Sequence, residues 1–466
     1  MKKREWYTII VFIIIAALDN AALGLVPAIL KSVAAGLGVP EIAEAIVAFP
    51  VALVTLITAI TSFFWGYYGD KYSRKKLLLY GTILWAIFIF LVTFSQNYFQ
   101  FLLFVSLAGI GLGCIASVGF SIIVDFISPS RRGLAMSLWG LSQGVGSVVG
   151  YTLAVIFDVK LGWNYVFLIL SVITFGFVVA YFFTIEPERG ATEKELQDLF
   201  NSGKSYDYRI NRGDLSKIIK NKTNRLLILQ GLFAQVGYGG IVLLPVVFIN
   251  KLMAQAVPET PAKLIGTLIA GLFQIGGVFS ILFGWLGDKY HKRTLKARPL
   301  ISGVGIILAI PVMLAMIFIP FQFSGVPNTD SFGVIVGYLG GQLISNPLFL
   351  ITFMAAFIAA ICTTADAPNF FAMVGDVNMP EHRGTMFGVA NFMNGIGRTC
   401  GLLLCMGIQL LLVRILPLDV AWTYALGSTF LFFIPAGICY LLAVRTVPGD
   451  VKNIKKILAK RGEKEG

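Results

Sequence analysis

Apolar residues fall into twelve long runs, near 7–30, 43–68, 77–95, 99–124, 134–157, 163–184, 226–249, 263–286, 299–320, 348–373, 385–413 and 421–444. Each is close to the ~20 residues that a helix needs to cross a bilayer. The pattern predicts an all-α membrane protein with twelve transmembrane helices. The polar stretches divide the chain into a first six-helix bundle (1–185), a charged linker (186–225), a second six-helix bundle (226–446) and a basic tail (447–466). A loop carrying a partial surface helix is read over 321–347.

The two bundles repeat one unit. Gly66-Tyr-Tyr-Gly69-Asp70-Lys71-Tyr-Ser-Arg74-Lys75 follows the second run, and Gly284-Trp-Leu-Gly287-Asp288-Lys289-Tyr-His-Lys292-Arg293 follows the eighth. Asp125-x-x-x-Pro129-x-x-Arg132-Gly133 matches Asp376-x-x-x-Pro380-x-x-Arg383-Gly384. A duplicated bundle is a common way to build a transporter. Glycines one turn apart, such as Gly66 and Gly69, permit close helix contact. Asp70 is suited to accept from the N-terminal amides of a facing helix, where the dipole favours an anion. Arg74, Lys75 and Lys76 are expected at the lipid headgroups. Gly66, Asp70, Arg74, Asp125, Arg132, Gly284, Asp288, Asp376 and Arg383 therefore read as a cytoplasmic latch, holding the halves together in one conformation and releasing in the other. A plain basic turn would explain the lysines, but not Gly-x-x-Gly-Asp or its recurrence.

Composition agrees with lipid as the solvent. Hydrophobic residues make up 57% of the chain and charged ones 13%, where a soluble domain carries about 25%. The net charge of +13 raises the question of nucleic acid. Its distribution answers it: 31 of the 37 lysines and arginines fall on one side of the twelve runs. The positive-inside rule then places both termini in the cytoplasm of a cell-membrane protein. Anionic lipid at the inner face matches the charge, and no nucleic-acid partner is needed. The basic N-terminus leads into a long run with no small-residue cleavage site, which reads as a retained first helix. All five cysteines lie in apolar runs, so no disulfide framework is suggested. In the linker, Thr192-Glu-Lys-Glu195 fits a capping box opening a short helix. A second amphipathic piece is read over 215–222, both lying on a solvated tether.

Ionisable residues deep in a bilayer cost roughly 2.5–3.5 kcal/mol each on insertion scales. Three occur: Asp19 in the first run, Asp366 in the tenth and Arg398 in the eleventh. At 1.5 Å rise per residue they lie roughly 15–20 Å from the inner ends of their helices. Thr363, Asp366 and Asn369 share one helix face, as do Asn391, Asn394 and Arg398. Gln143 occupies the position of Asn394 in the first repeat. The third, sixth, ninth and twelfth runs carry no charge, which suits outer, lipid-facing helices. Two readings stand. In one, Arg398 is neutralised by an acid and the set locks two helices together. In the other, Asp19, Asp366, Arg398, Gln143, Asn369, Asn391 and Asn394 line a water-filled cavity that binds substrate and protons. One acid then pairs with Arg398, and the other carries a proton or meets a cation.

Enzyme chemistry finds no support. Gly140-Leu-Ser142-Gln-Gly144 spells a hydrolase motif, but it lies inside a span rather than on a strand–helix turn. Those glycines, with Gly146 and Gly150, read as a packing face. His291 and His382 lie in loops, and no phosphate-binding loop, metal cluster or cofactor motif is present.

Twelve spans, two homologous halves and the paired loops resemble the major facilitator superfamily. That resemblance implies the superfamily fold, with two pseudo-symmetric bundles around a cavity lined by helices 1, 4, 7 and 10 and flanked by 2, 5, 8 and 11. It also implies a latch at the loop motif. The first half is similar to spinster-like lipid transporters through Asp19 before Pro27, the Gly66–Lys76 loop, Trp85, Phe94-Ser95, Gly109-Ile-Gly111, Asp125 and Gly146-Ser147 with Gly150-Tyr151. Where those proteins carry an Arg and a Glu in the fourth helix, this chain has Val105 and Leu112. Leu18-Asp19 to Pro27 also resembles the first-helix motif of drug/proton antiporters, but the fifth helix lacks their Gly-Pro.

The expectation is a secondary transporter working by alternating access, coupled to protons and moving a small organic or amphipathic solute, anionic because Arg398 is the sole deep cation. A uniporter or a lysolipid or drug exporter of the same fold is an alternative. A receptor or scaffold that does not transport is another. A monomer surrounded by membrane lipid is expected.

Overall fold

The computed structural model describes residues 3–38 and 44–465. Lys2, Ala43 (where the second expected span begins) and Gly466 lie outside the described residues, as do the side chains of Pro27 and Tyr151. Twelve long helices follow one another: α1 (Lys3–Gly36), α2 (Glu44–Lys71), α3 (Arg74–Val92), α4 (Tyr98–Phe126), α5 (Arg132–Leu161), α6 (Trp163–Phe182), α7 (Lys222–Met253), α8 (Glu259–His291), α9 (Ala297–Phe318), α10 (Pro347–Asp376), α11 (Arg383–Leu412) and α12 (Leu418–Glu463). Among the described residues there is no strand. Eleven of the helices contain a segment long and apolar enough to cross a membrane, and α5, 30 residues long, completes the set.

The repeat is visible in the packing. In the first bundle α1 packs on α5 and α6, and α3 packs on α4 and α6. In the second, α7 packs on α11 and α12, and α9 packs on α10 and α12. The bundles meet along α2 with α11 and α5 with α8, a pair of seams related by the same shift of six helices. The small residues expected as a packing face do pack: Gly146 and Gly150 lie against the α1 backbone at Ala17 and Ala21, and Gly140 lies against Ser280 of α8.

The bundles differ in regularity. The first is interrupted by a π-helical turn at Ile115–Gly119 of α4. The second is broken in four helices: α7 after Ile241, α8 by a 3-10 turn at Gly276–Phe279, α10 after Thr363 and α12 after Phe430. Three of these breaks have a proline nearby in sequence. Pro245, Pro368 and Pro435 lack the amide that would bond to the carbonyl four residues earlier, at Ile241, Thr364 and Leu431. Tighter i to i−3 bonds take over there, from Leu243 to Gly240, Ala365 to Cys362 and Phe432 to Thr429. Asp366 thereby becomes the first residue of a half-helix, Asp366–Asp376.

Outside the spans, the surface helix expected within 321–347 is Phe332–Ser345. The linker differs from a solvated tether. Thr192 caps nothing; its hydroxyl donates to the Val124 and Ile127 carbonyls. The helix that follows is short (Gln197–Asn201), and the capping box that does form joins Asn211 and Asp214 at the start of Arg212–Lys220. Leu196, Leu199 and Tyr206 bury against Met379 and against Leu458 of the tail, which continues α12 as one helix. Arg461 donates to Glu381 at 2.7 Å and stacks over Tyr208.

Candidate substrate chamber and its gate

The end of the molecule that carries most of the basic residues is sealed by a two-fold repeated set of bonds. The Asp70 carboxylate accepts from the Gly384 and Thr385 amides at 2.9 and 2.5 Å, at the N-terminus of α11. The Asp288 carboxylate accepts from the Gly133 and Leu134 amides, both at 2.8 Å, at the N-terminus of α5. Each aspartate thus satisfies orphan amides of the opposite bundle and meets the positive end of its helix dipole. Close approach makes this possible. A methyl on Gly66 would lie 2.2 Å from the Gly384 carbonyl oxygen, and one on Gly284 2.4 Å from the Gly133 carbonyl oxygen.

Beside these bonds the aspartates of the second motif cross-link the bundles. Asp125 accepts from Arg74 of its own bundle (2.5 Å) and from Arg383 of the other (2.8 Å). Asp376 accepts from Arg298 of its own bundle and from Arg132 of the other (2.9 Å). All four arginines are buried. Arg74 therefore does not reach the headgroups, and Lys75 turns back onto the Phe182 and Thr184 carbonyls. The counterpart of Arg74 is Arg298, which the repeat did not reveal: Arg74 follows Asp70 by four residues, whereas Arg298 follows Asp288 by ten. Three linker residues also enter the layer. Glu186 accepts from Ser73 (2.6 Å) and the Arg74 amide (2.9 Å), Arg189 donates to the Gly69 carbonyl (2.7 Å), and Glu193 accepts from Arg132 (2.6 Å).

Next to this layer lies an aromatic plug. Phe120 of α4 stacks on Phe371 of α10, with centroids 4.1 Å apart, and touches Trp139 of α5 (4.6 Å) and Phe387 of α11 (5.4 Å). Phe12 of α1 stacks on Trp139. Rings from both bundles thus close the centre, a feature hidden in the sequence among 38 phenylalanines.

The polar residues singled out above stand one to three turns beyond the plug on the same faces. Gln143 follows Trp139 by four residues, Asp19 follows Phe12 by seven, and Asn391, Asn394 and Arg398 follow Phe387 by four, seven and eleven. A rise of 1.5 Å per residue puts this polar level roughly 6–16 Å past the rings. Gln143 and Arg398 are exposed, and Asn391 and Asn394 are half-buried, with Nδ2 of Asn391 and Oδ1 of Asn394 unpartnered.

The three deep charges do not meet as expected. Arg398 makes no ion pair or hydrogen bond among the described residues, so neither acid neutralises it. Asp366 is 8% exposed and lies inside the second bundle, where Gln230 of α7 (3.2 Å) and Tyr440 of α12 both donate to its Oδ1. Asp19 is 7% exposed, and its Oδ1 is buried with no partner. Asn369, expected in the cavity, is instead fully buried between α10 and α8. It donates to the Ala365 carbonyl and presses on Gly287. The interior of the first bundle is apolar here. A cavity of about 20 Å³ is lined by aliphatic side chains that include Val105 and Leu112, the two positions where spinster-like proteins carry charge. That volume would admit a water, but no polar side chain lines it to hold one.

Two repeated six-helix bundles, sealed at one end by reciprocal aspartate–amide bonds and carrying a guanidinium without an ion pair beyond the seal, define a duplicated helical membrane protein. The model of the Major Facilitator Superfamily matches residues 8–341, and the chain belongs to that family. It is similar to Multidrug resistance protein 3 of Bacillus subtilis (31% identity over 121 residues, 25% of this chain and 24% of that one). It is also similar to Protein spinster homolog 3 of Danio rerio (23% over 278 residues, 57% and 54%). These alignments span between a quarter and just over half of the curated relatives' lengths. In fold it resembles the human organic anion transporter MFSD10, with a TM-score of 0.61 at 15% identity, covering 96% of this chain and 100% of that one.

Proposed function

We propose that the protein is a secondary transporter that moves a small organic anion by alternating access, with the basic end in the cytoplasm and a proton as coupling ion. The observation that carries this reading is Arg398: a guanidinium at mid-membrane depth, exposed and unpaired, above a sealed gate. A cation with no protein counter-ion among the described residues is suited to an anionic ligand, and Gln143, Asn391 and Asn394 on the same level offer neutral hydrogen bonds. With the basic end closed, the ligand would arrive from the opposite end. Asp366 and Asp19 are the candidate proton carriers. Asp19 has nothing to repay its lost hydration when ionised, and Tyr238 lies within electrostatic reach of both Asp366 and Arg398.

The test is flux of organic anions in proteoliposomes. Arg398→Ala is expected to weaken anion binding ~30-fold or more, with Arg398→Lys in between. Unchanged affinity in Arg398→Ala would remove Arg398 from the site. Asp366→Asn is expected to abolish uphill transport driven by a pH gradient while sparing exchange. A second reading, uniport, is favoured by the two donors that already saturate one oxygen of Asp366. It predicts that both Asp366→Asn and Asp19→Asn leave pH-gradient-driven flux unaltered.

A further inference from the structure

The linker contributes a charge at the centre of the gate. Arg132 and Arg383 occupy equivalent positions in the two repeats, and each is 1% exposed. Each spends one Nη1 on an aspartate of the opposite bundle. Each also turns its Nη2 toward the same atom, Oε1 of Glu193. The repeat occurs twice and the linker once, so this single carboxylate bridges two pseudo-equivalent guanidinium groups. Asp125 and Asp376 are already shared between two arginines apiece, so neither can take over.

The hydrogen bonds from the segment before Glu193 to the bundles run to the first, whereas Leu196 and Leu199 after it pack on Met379 and Leu458 of the second. Glu186 holds the start of α3 through Ser73 and the Arg74 amide. Arg189 donates to the Gly69 and Tyr72 carbonyls and lies 3.6 Å from Asp70. Gly190 donates its amide to Asp125 at 3.1 Å. Burial alone would raise the Glu193 carboxyl, but Arg132 and Arg383 hold it down at about 2.

We infer that Glu193 is the shared counter-ion of the gate, a linker residue without which the two cross-bundle arginines cannot be buried side by side. When the basic end opens, Glu193 leaves with Arg132 and the first bundle, and the bond to Arg383 is the one that breaks. Two buried like charges with their common partner removed repel strongly in a medium of low dielectric. This inference rests on alternating access but not on the chemistry of the transported solute, so failure of the Arg398 experiment leaves it standing.

The test uses the full-length protein in lipid nanodiscs, with spin labels at Lys71→Cys and Lys292→Cys. These exposed positions lie on opposite bundles at the basic end, and the exposed Cys400 is replaced by Ser. Distances are read by pulsed electron paramagnetic resonance. Glu193→Gln is expected to raise the ratio of open to closed molecules ~10-fold or more. Glu193→Asp, too short to span both arginines, is expected to fall between. Cutting the chain at a protease site placed after Gly203, in the exposed stretch, leaves Glu193 and its anchors on the first bundle and should not move the distribution. Two results would overturn the inference: a Glu193→Gln distribution identical to that of the unmutated protein, or a cut that opens the gate as far as the substitution does.

Discussion

The two bundles are alike at the gate and unlike at mid-membrane. Asp70 and Asp288 each hold the amides of the second and third residues of an opposite helix, and equivalent bonds agree within 0.3 Å. Deeper in the membrane the first bundle keeps its helices nearly regular and its interior apolar, and Oδ1 of Asp19 has no partner among the described residues. The second bundle breaks four helices and surrounds Asp366 with Gln230 and Tyr440. The motifs of the sealed end occur in both repeats, so each bond there has a counterpart in the other half. The mid-membrane charges have none: at the repeat offset of 251, Asp366 and Arg398 correspond to Ile115 and Ser147. The break after Thr363 places a helix end beside Asp366, an arrangement that recurs at transporter binding sites.

That comparison can be attacked in three places. The largest effect should come from the glycines that let the bundles touch. Gly66→Ala and Gly284→Ala each drive a methyl into a backbone carbonyl of the other bundle, and backbone cannot step aside cheaply. Both should shift the basic end toward open ~10-fold or more and to a similar extent, as read by the label distances. Gly176→Ala, where nothing lies within 4 Å, should be silent. An effect confined to one of the two gate glycines would show that the halves are not equivalent there.

The second place is the pair of buried acids, whose substitutions should act in opposite directions. Asp366→Asn weakens two bonds to a charged acceptor and should lower the thermal midpoint, a loss of about 1–2 kcal/mol. Asp19→Leu removes a buried group with nothing to bond and should raise it. Differential scanning fluorimetry of both variants in one detergent decides this, and shifts of the same sign would make the two environments equivalent after all.

The smallest effect concerns pH. A carboxyl held at about 2 contributes to closure at every pH above the ordinary glutamate range, and loses that contribution only as pH falls through about 2. The change in gate opening caused by Glu193→Gln should therefore be the same at pH 5.5 and pH 8. His291, 3.7 Å from Asp376, and the other charged gate groups are present in both proteins. A Glu193→Gln effect that vanished at the lower pH would mean that Glu193 itself is the titrating group.

Much of the architecture could be read from the chain because it is written in local terms. A run of apolar residues must be satisfied as a helix in lipid wherever it occurs. A motif that returns in register announces a repeated unit without reference to its surroundings, and it correctly pointed to Asp70 meeting helix amides. Partnership is another matter. Arg398 was expected beside an acid because three deep charges of mixed sign invite pairing, yet Asp366 is enclosed by Gln230 and Tyr440 and Arg398 pairs with neither acid. Arg298 escaped the repeat through a longer loop, and Glu193 drew no notice as an interior position of the capping box read at Thr192 and Glu195 on a tether. The aromatic plug drew no notice because its rings come from five helices.

The sequence by itself determined which segments enter the membrane, how many there are, which way the charge runs and that one half echoes the other. These follow from hydrophobicity, length and repetition, which each segment carries alone. Only the tertiary structure decided which charges are neutralised and which are left without an ion pair. That outcome depends on approach across more than a hundred residues of chain, between Asp70 and Gly384 or Glu193 and Arg383, and burial of a charge is settled by the groups around it rather than by its neighbours in sequence.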